Sequence, residues 1–259
     1  MTTFHASLPM YDLPEAREHT DRWWQVFRSK IVSAGIRFSP VQLDHNNTYQ
    51  KAWRSADCLF SQTCGYPYIK LLQNHAQLIA TPCYLNEGCD GPNYSSWIVT
   101  RNDSKIENFP QTRDSQAVVN SPDSLSGYKV IEMMLDQDES LETAYRDIIE
   151  SGGHRRSIGL LKQGVGDFAA IDCVTWAYLQ TFDSEYIDGL KIIDQGPSLP
   201  GLPLITATST SHIDTELMRE VLLTAHQDSA MMQPMTKLLI SHYEWLDRDA
   251  YQVILDKLL

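Results

Sequence analysis

The sequence predicts an α/β protein of two lobes, each a mostly parallel sheet flanked by helices. Three observations carry that reading. Short apolar runs alternate with amphipathic helical stretches, the pattern of strand–helix–strand units. The alternation occurs in two blocks. Two crossings rich in Gly and Pro join them, "LIATPCYLNEGCDGPNYSSWIVTR" and "LKIIDQGPSLPGLPLITA". Residues 1–84 and 198–259 are expected to form the first lobe, with both chain ends, and 95–194 the inserted second lobe. Residues 85–94 and 195–197 would be a two-segment hinge.

The elements follow in order. "TFHASLP" alternates like a strand and stops at Pro9. "PEAREHTDRWWQVFRSKIVSAG" opens on Pro14 and acids and closes on Gly35, the start and stop signals of a helix. "IRFSPVQL" reads as a strand, "TYQKAWRSA" as a helix and "DCLFSQ" as a strand. "YPYIKLLQNH" carries Pro67 in a first helical turn, where proline is tolerated, and "AQLIATPCY" is the next strand. In the second block "SSWIVTR" and "AVVN" are strands. The helix that follows "NSPDSLSGY" sets Tyr128, Ile131, Met134 and Leu135 on one face. "ESLETAYRDIIES" has helical propensity with a possible strand at Ile148. "RRSIGLLKQG" and "CVTWAYLQTF" are helices around the buried strand "DFAAID". "LKIID" reads as a strand and "TELMREVLLTAH" as a helix, and the last residues, "MMQPMTKLLISHYEWLDRDAYQVILDKLL", as further helix.

Composition narrows the function classes. The formal net charge is −12, which argues against a nucleic-acid partner. No run approaches the ~20 apolar residues of a membrane helix, so no membrane insertion is expected. The first residues carry no secretory leader pattern, so Met1 as a native start would mean a cytoplasmic protein. Five cysteines without paired CxxC spacing suit neither a disulfide scaffold nor a structural zinc site. "CYLNEGC" could chelate or bridge, but free buried thiols are the commoner outcome. No metal, cofactor or catalytic residue is expected.

The densest chemical signal is "NSPDSLSGY". Ser and Asp before a helix cap its first N–H groups, and the same N–H groups with the helix dipole attract oxyanions. A serine triad of Ser126, His154 and Asp172 lacks the G-x-S-x-G elbow that would support it.

Five segments, "FSQTCGYPYIKLL", "TPCYLNEGCDGPNYSSWIVTRNDS", "NSPDSLSGY", "SGGHRRSI" and "GDFAAIDCVTWA", resemble in that order the phosphate/phosphonate substrate-binding components of bacterial ABC importers. The resemblance implies a type II periplasmic-binding-protein fold, a ligand clamped between the lobes, an ABC permease as partner, a periplasmic location and a monomer. It favours a strand before "SGGH". By resemblance, Ser124, Ser126, Gly127 and the N–H groups there hold ligand oxygens, with His154 beside them. Asp172 would meet a ligand amine, Tyr94 and Tyr49 contribute, and Tyr11, Gln62 and Thr63 join on position alone. Leu125 replaces a family hydroxyl, and a further acid of aminophosphonate binders has no counterpart. By the same resemblance Cys64 and Cys89 lie close enough to bridge. The expected function is capture of a small oxyanion, phosphonate- or phosphate-like and in one form amine-bearing. An enzyme on the same fold, similar to cytosolic menaquinone-pathway enzymes, and a ligand sensor remain as alternatives.

Overall fold

The computed structural model describes residues 4–46 and 49–259. Thr3 and Thr48, at the starts of two expected elements, lie outside the described residues. The chain divides into two compact units, the first from residues 1–85, 90–92 and 200–253, the second from 86–89, 93–199 and 254–259. The last six residues, expected with the first lobe, thus group with the second unit.

In the first unit a five-stranded sheet runs in the order His5–Ala6, Cys58–Gln62, Leu204–Ala207, Ala76–Tyr84, Ile240–Glu244. The long helix Arg17–Ala34 buries Thr20, Trp23, Trp24, Phe27 and Ile31, spaced by three and four residues so that they share one face. Phe27 packs on Trp23 with ring centroids 5.1 Å apart and on Phe60 of the sheet at 4.9 Å. The helix stops at Gly35, whose φ of 125° suits a residue without a Cβ and whose N–H caps the Ile31 carbonyl.

The second unit carries a sheet in the order Leu190–Gln195, Ser96–Arg101, Phe168–Asp172, Gln116–Val119, Asp147–Glu150. Its core collects Ile98, Ala117, Val119, Val130, Ile131, Phe168 and Ala170, with Tyr128, Met134 and Leu135 packed against it. This is the helix face that the sequence predicted. The strand before "SGGH" is present as Asp147–Glu150, after a single helical turn at Leu141–Ala144.

Three expectations change. Both sheets carry antiparallel strands among their parallel ones. Leu204–Ala207 and Ile240–Glu244 run antiparallel to Ala76–Tyr84, and Ser96–Arg101 runs antiparallel to Phe168–Asp172. Fully buried strands such as Cys58–Gln62 read as unbroken apolar runs whatever their direction. Ile36–Leu43 is irregular rather than a strand. Ile36 and Leu43 are buried while Phe38 and Val41 are exposed, because Pro40 breaks the alternation and leaves no single apolar face. The C-terminal stretch contains a strand, Ile240–Glu244, after the helix Ser229–Lys237. Leu239, at φ 56°, turns the chain out of the helix.

Candidate ligand-binding site

Three strands of the second unit, Gln116–Val119, Asp147–Glu150 and Phe168–Asp172, run parallel to one another. Their carboxyl ends therefore lie on one side of the sheet, where loops lead into helices and ligands of α/β folds bind. Each end carries part of the predicted cluster.

After Val119 the chain turns through Asn120–Asp123 into a helix that begins with a wide turn, Leu125–Lys129. Lys129 N–H bonds the Ser124 carbonyl five residues back, at 3.0 Å. Such π-turns are frequent at functional sites. Ser124 Oγ accepts from the Gly127 N–H at 3.1 Å, so Ser124 caps the helix and the Gly127 N–H is occupied by that cap. Gly127 has a packing role as well. A Cβ there would come 2.4 Å from Asn120 Cγ. Asn120 is itself buried beneath the turn, with its carbonyl accepting from Gly152 N–H at 2.8 Å. Gly127→Ala is therefore expected to cost about 1–3 kcal/mol by overpacking, read as a lowered denaturation midpoint. An unchanged midpoint would show that the Asn120 contact is dispensable. Leu125, where the resemblance implied a hydroxyl, is wholly buried.

After Glu150, Ser151 donates to the Val119 carbonyl at 2.9 Å and accepts from Gly153 N–H at 3.2 Å. Gly152, at φ 84°, makes the tight turn. This fixed loop delivers His154 as the first residue of the helix His154–Lys162. At the third strand end Asp172 caps the helix Cys173–Phe182. Its Oδ1 accepts from Val174 N–H at 3.0 Å and Thr175 N–H at 2.8 Å, and its Oδ2 accepts from the Thr175 hydroxyl at 2.5 Å.

The three strand ends meet at His154. Its Nε2 lies 2.7 Å from Ser126 Oγ and 3.2 Å from Asp172 Oδ2. The His154 side chain is 11% exposed and that of Asp172 3%. A serine triad needs the hydroxyl and the carboxylate on opposite ring nitrogens. Here both share Nε2, so the carboxylate cannot relay charge through the ring to the serine. What the arrangement can do is hold a donor in place. With the ring proton on Nε2, Ser126 Oγ accepts from it, and the serine's own O–H is left to donate elsewhere.

Burial depresses the His154 pKa, opposed by the Asp172 charge and the Ala170 backbone carbonyl. Because the native value lies below the ordinary one of about 6.5, the unfolded chain takes up the proton more readily. This contribution to stability is whole above about 6.5 and is lost as pH falls through the lower native value. Denaturation midpoints on either side of that window should differ, and His154→Gln should shrink the difference. An equal drop in the variant would assign the effect to other groups.

The remaining predicted residues are placed as follows. Tyr94, in the second unit, is 3% exposed. Tyr11, Tyr49, Gln62 and Thr63 belong to the first unit. Tyr11 packs edge-on to Tyr84, with centroids 5.7 Å apart. Tyr49 packs on Trp53 at 4.9 Å. Gln62 Nε2 reaches the Leu202 carbonyl at 3.4 Å, and Thr63 N–H bonds the Pro203 carbonyl at 3.1 Å. Cys89 has a neighbour that the resemblance did not imply. Cys89 Sγ lies 3.4 Å from Cys173 Sγ, in the second unit, while Cys64 is buried in the first. Sharing a hydrogen bond with Cys173 pushes the Cys89 thiol up and draws the Cys173 thiol down. Asn120 was missed in the sequence, although it sits inside the quoted motif, because nothing local marks it as the prop beneath Gly127.

No curated protein matches the chain in sequence. Solved structures do match in fold. A binding-protein component of an ABC phosphonate transporter from Pseudomonas aeruginosa aligns with a TM-score of 0.78 at 16% identity, over 98% of this chain and 84% of that one. PhnD1 from Prochlorococcus marinus, in complex with methylphosphonate, aligns at 0.78 and 15%, over 99% and 97%. A Xanthomonas citri protein bound to chloride ion aligns at 0.74 and 14%, over 100% and 98%. The fold is that of type II periplasmic binding proteins. The model of the family described as ABC transporter, phosphonate, periplasmic substrate-binding protein matches residues 7–251, and the chain belongs to that family of solute-binding proteins.

Proposed function

We propose that this protein captures a small tetrahedral oxyanion, a phosphonate or phosphate, with Ser126 as its central donor, and delivers it to an ABC permease in the periplasm. The observation that carries the reading is the Ser126–His154 hydrogen bond of 2.7 Å at the start of a helix. His154, held by Asp172, turns the serine proton outward, and the helix start adds its dipole. These are fixed local donors, which bind an anion where a net charge of −12 would repel it at long range. The Asp172 carboxylate already accepts from Val174 and Thr175 and lies 3.2 Å from His154 Nε2. The proposed ligand therefore needs no amine, and Asp172 acts through His154.

Calorimetry with methylphosphonate, aminoethylphosphonate and inorganic phosphate tests the assignment. Ser126→Ala is expected to lose a hydrogen bond to a charged oxygen, about 1.5–3 kcal/mol, or roughly ten- to hundredfold in affinity. Its melting should fall only by the ~0.5–1.5 kcal/mol of the lost His154 bond, since Ser124 is the cap. Equal affinities for wild type and variant would remove Ser126 from the site. A strong preference for the amine-bearing ligand, abolished by Asp172→Asn, would return Asp172 to direct contact.

A further inference from the structure

The strand that the sequence reading missed, Ile240–Glu244, assembles a second cluster, in the first unit. It pairs antiparallel with Ala76–Tyr84 so that His242 lies opposite Cys83 and Glu244 opposite Thr81. His242 and Glu244 are two residues apart on a strand and share a face. His242 Nε2 lies 3.2 Å from Glu244 Oε1, and Cys83 Sγ lies 3.7 Å from the same oxygen. One ligand atom from each of the three residues falls within 4.8 Å of the others.

The neighbouring hydrogen bonds set the histidine tautomer. The Ser241 hydroxyl donates to the Cys83 carbonyl at 2.9 Å. With its proton on that carbonyl, it accepts from His242 Nδ1, 2.8 Å away. In that arrangement His242 carries its proton on Nδ1 and turns the Nε2 lone pair toward a carboxylate oxygen, as a metal ligand would. Two acceptors at that separation leave room for a cation between them.

We infer that Cys83, His242 and Glu244 bind a divalent first-row metal ion of the zinc type, through Sγ, Nε2 and a carboxylate oxygen, with water as the fourth ligand. The spacing fits a metal. Tetrahedral zinc with bonds of about 2.0–2.3 Å has an N–O edge of about 3.3 Å and an S–O edge of about 3.6 Å. The observed edges are 3.2 and 3.7 Å. Ser241 holds the ring from behind, as groups beyond the metal ligands do in such sites. Sulfur and imidazole donors select zinc, cobalt or copper over magnesium or calcium. Cys83 is buried, whereas the His242 and Glu244 side chains are 41% and 42% exposed, so the fourth position opens to water. Binding replaces the thiol proton of Cys83, which leaves to solvent.

The test uses the reduced, chelator-stripped full chain titrated with Co²⁺ under nitrogen and then with Zn²⁺. One equivalent of Co²⁺ should raise a near-ultraviolet sulfur-to-cobalt band and intense tetrahedral visible bands, both displaced by Zn²⁺. Cys83→Ser should abolish the ultraviolet band, and His242→Gln or Glu244→Gln should weaken binding at least tenfold. Ser241→Ala should weaken it about 10–100-fold. Glu244→Gln, at a half-exposed position, decides the matter if Cys83→Ser does not fold. No sulfur band, as an imidazolium–carboxylate pair would give, or a band that survives Cys83→Ser, overturns the inference. Ligand binding at Ser126 does not enter the readout.

Discussion

Replacing Asp172 by Asn lowers stability and ligand affinity together. The amide oxygen can still accept from Val174 and Thr175 N–H, but its NH2 then faces the Thr175 hydroxyl and His154 Nε2, where Oδ2 accepted. The charge-assisted Thr175 bond alone is worth about 1.5–3 kcal/mol, and a weakened cap adds about 1 kcal/mol. The sum, roughly 2.5–4 kcal/mol, would appear as a clear shift in the denaturation midpoint. His154 supplies a signature that a mere cap would not. The Asp172 charge raises its pKa against burial, so removing the charge should push the imidazole pKa lower still, measurable by NMR. With its orienting partner gone, His154 should also hold Ser126 less well, and phosphonate affinity should drop. A midpoint that falls while affinity and the His154 titration stay unchanged would reduce Asp172 to a helix cap.

Mild oxidation should join Cys89 to Cys173. The two sulfurs are 3.4 Å apart, and need only approach to about 2.05 Å to bond. A disulfide oxidant such as oxidised glutathione takes up the two electrons. Cross-linking these positions closes a long loop, worth roughly 4–5 kcal/mol in the chain-entropy model. The oxidised protein should show three free thiols of its five, a Cys89–Cys173 peptide on digestion, and a higher midpoint that dithiothreitol reverses. Five free thiols after oxidant, or a Cys64–Cys89 peptide, would refute the pairing.

What the sequence by itself determined was local. The helix Arg17–Ala34 was legible because Trp23, Trp24, Phe27 and Ile31 repeat at helical spacing between a proline and a glycine. Ala76–Tyr84 was legible as an apolar run. Ser124, Ser126, His154 and Asp172 were legible as polar residues at the ends of apolar strands, where helices begin. Only the tertiary structure decided which of them meet. The parallel pairing of three strands brings Ser126 and Asp172 to one histidine nitrogen, and it divides the serines into a cap, Ser124, and a partner of His154, Ser126. Strand direction was hidden, because burial on both faces erases the alternation that would betray it. The strand Ile240–Glu244 was hidden by its helix-forming neighbours, and with it the register that sets His242 against Cys83. The contact of Cys89 with Cys173 was hidden for the same reason. Contacts between residues far apart in the chain depend on how strands pair, and periodicity in one strand carries no information about its neighbour.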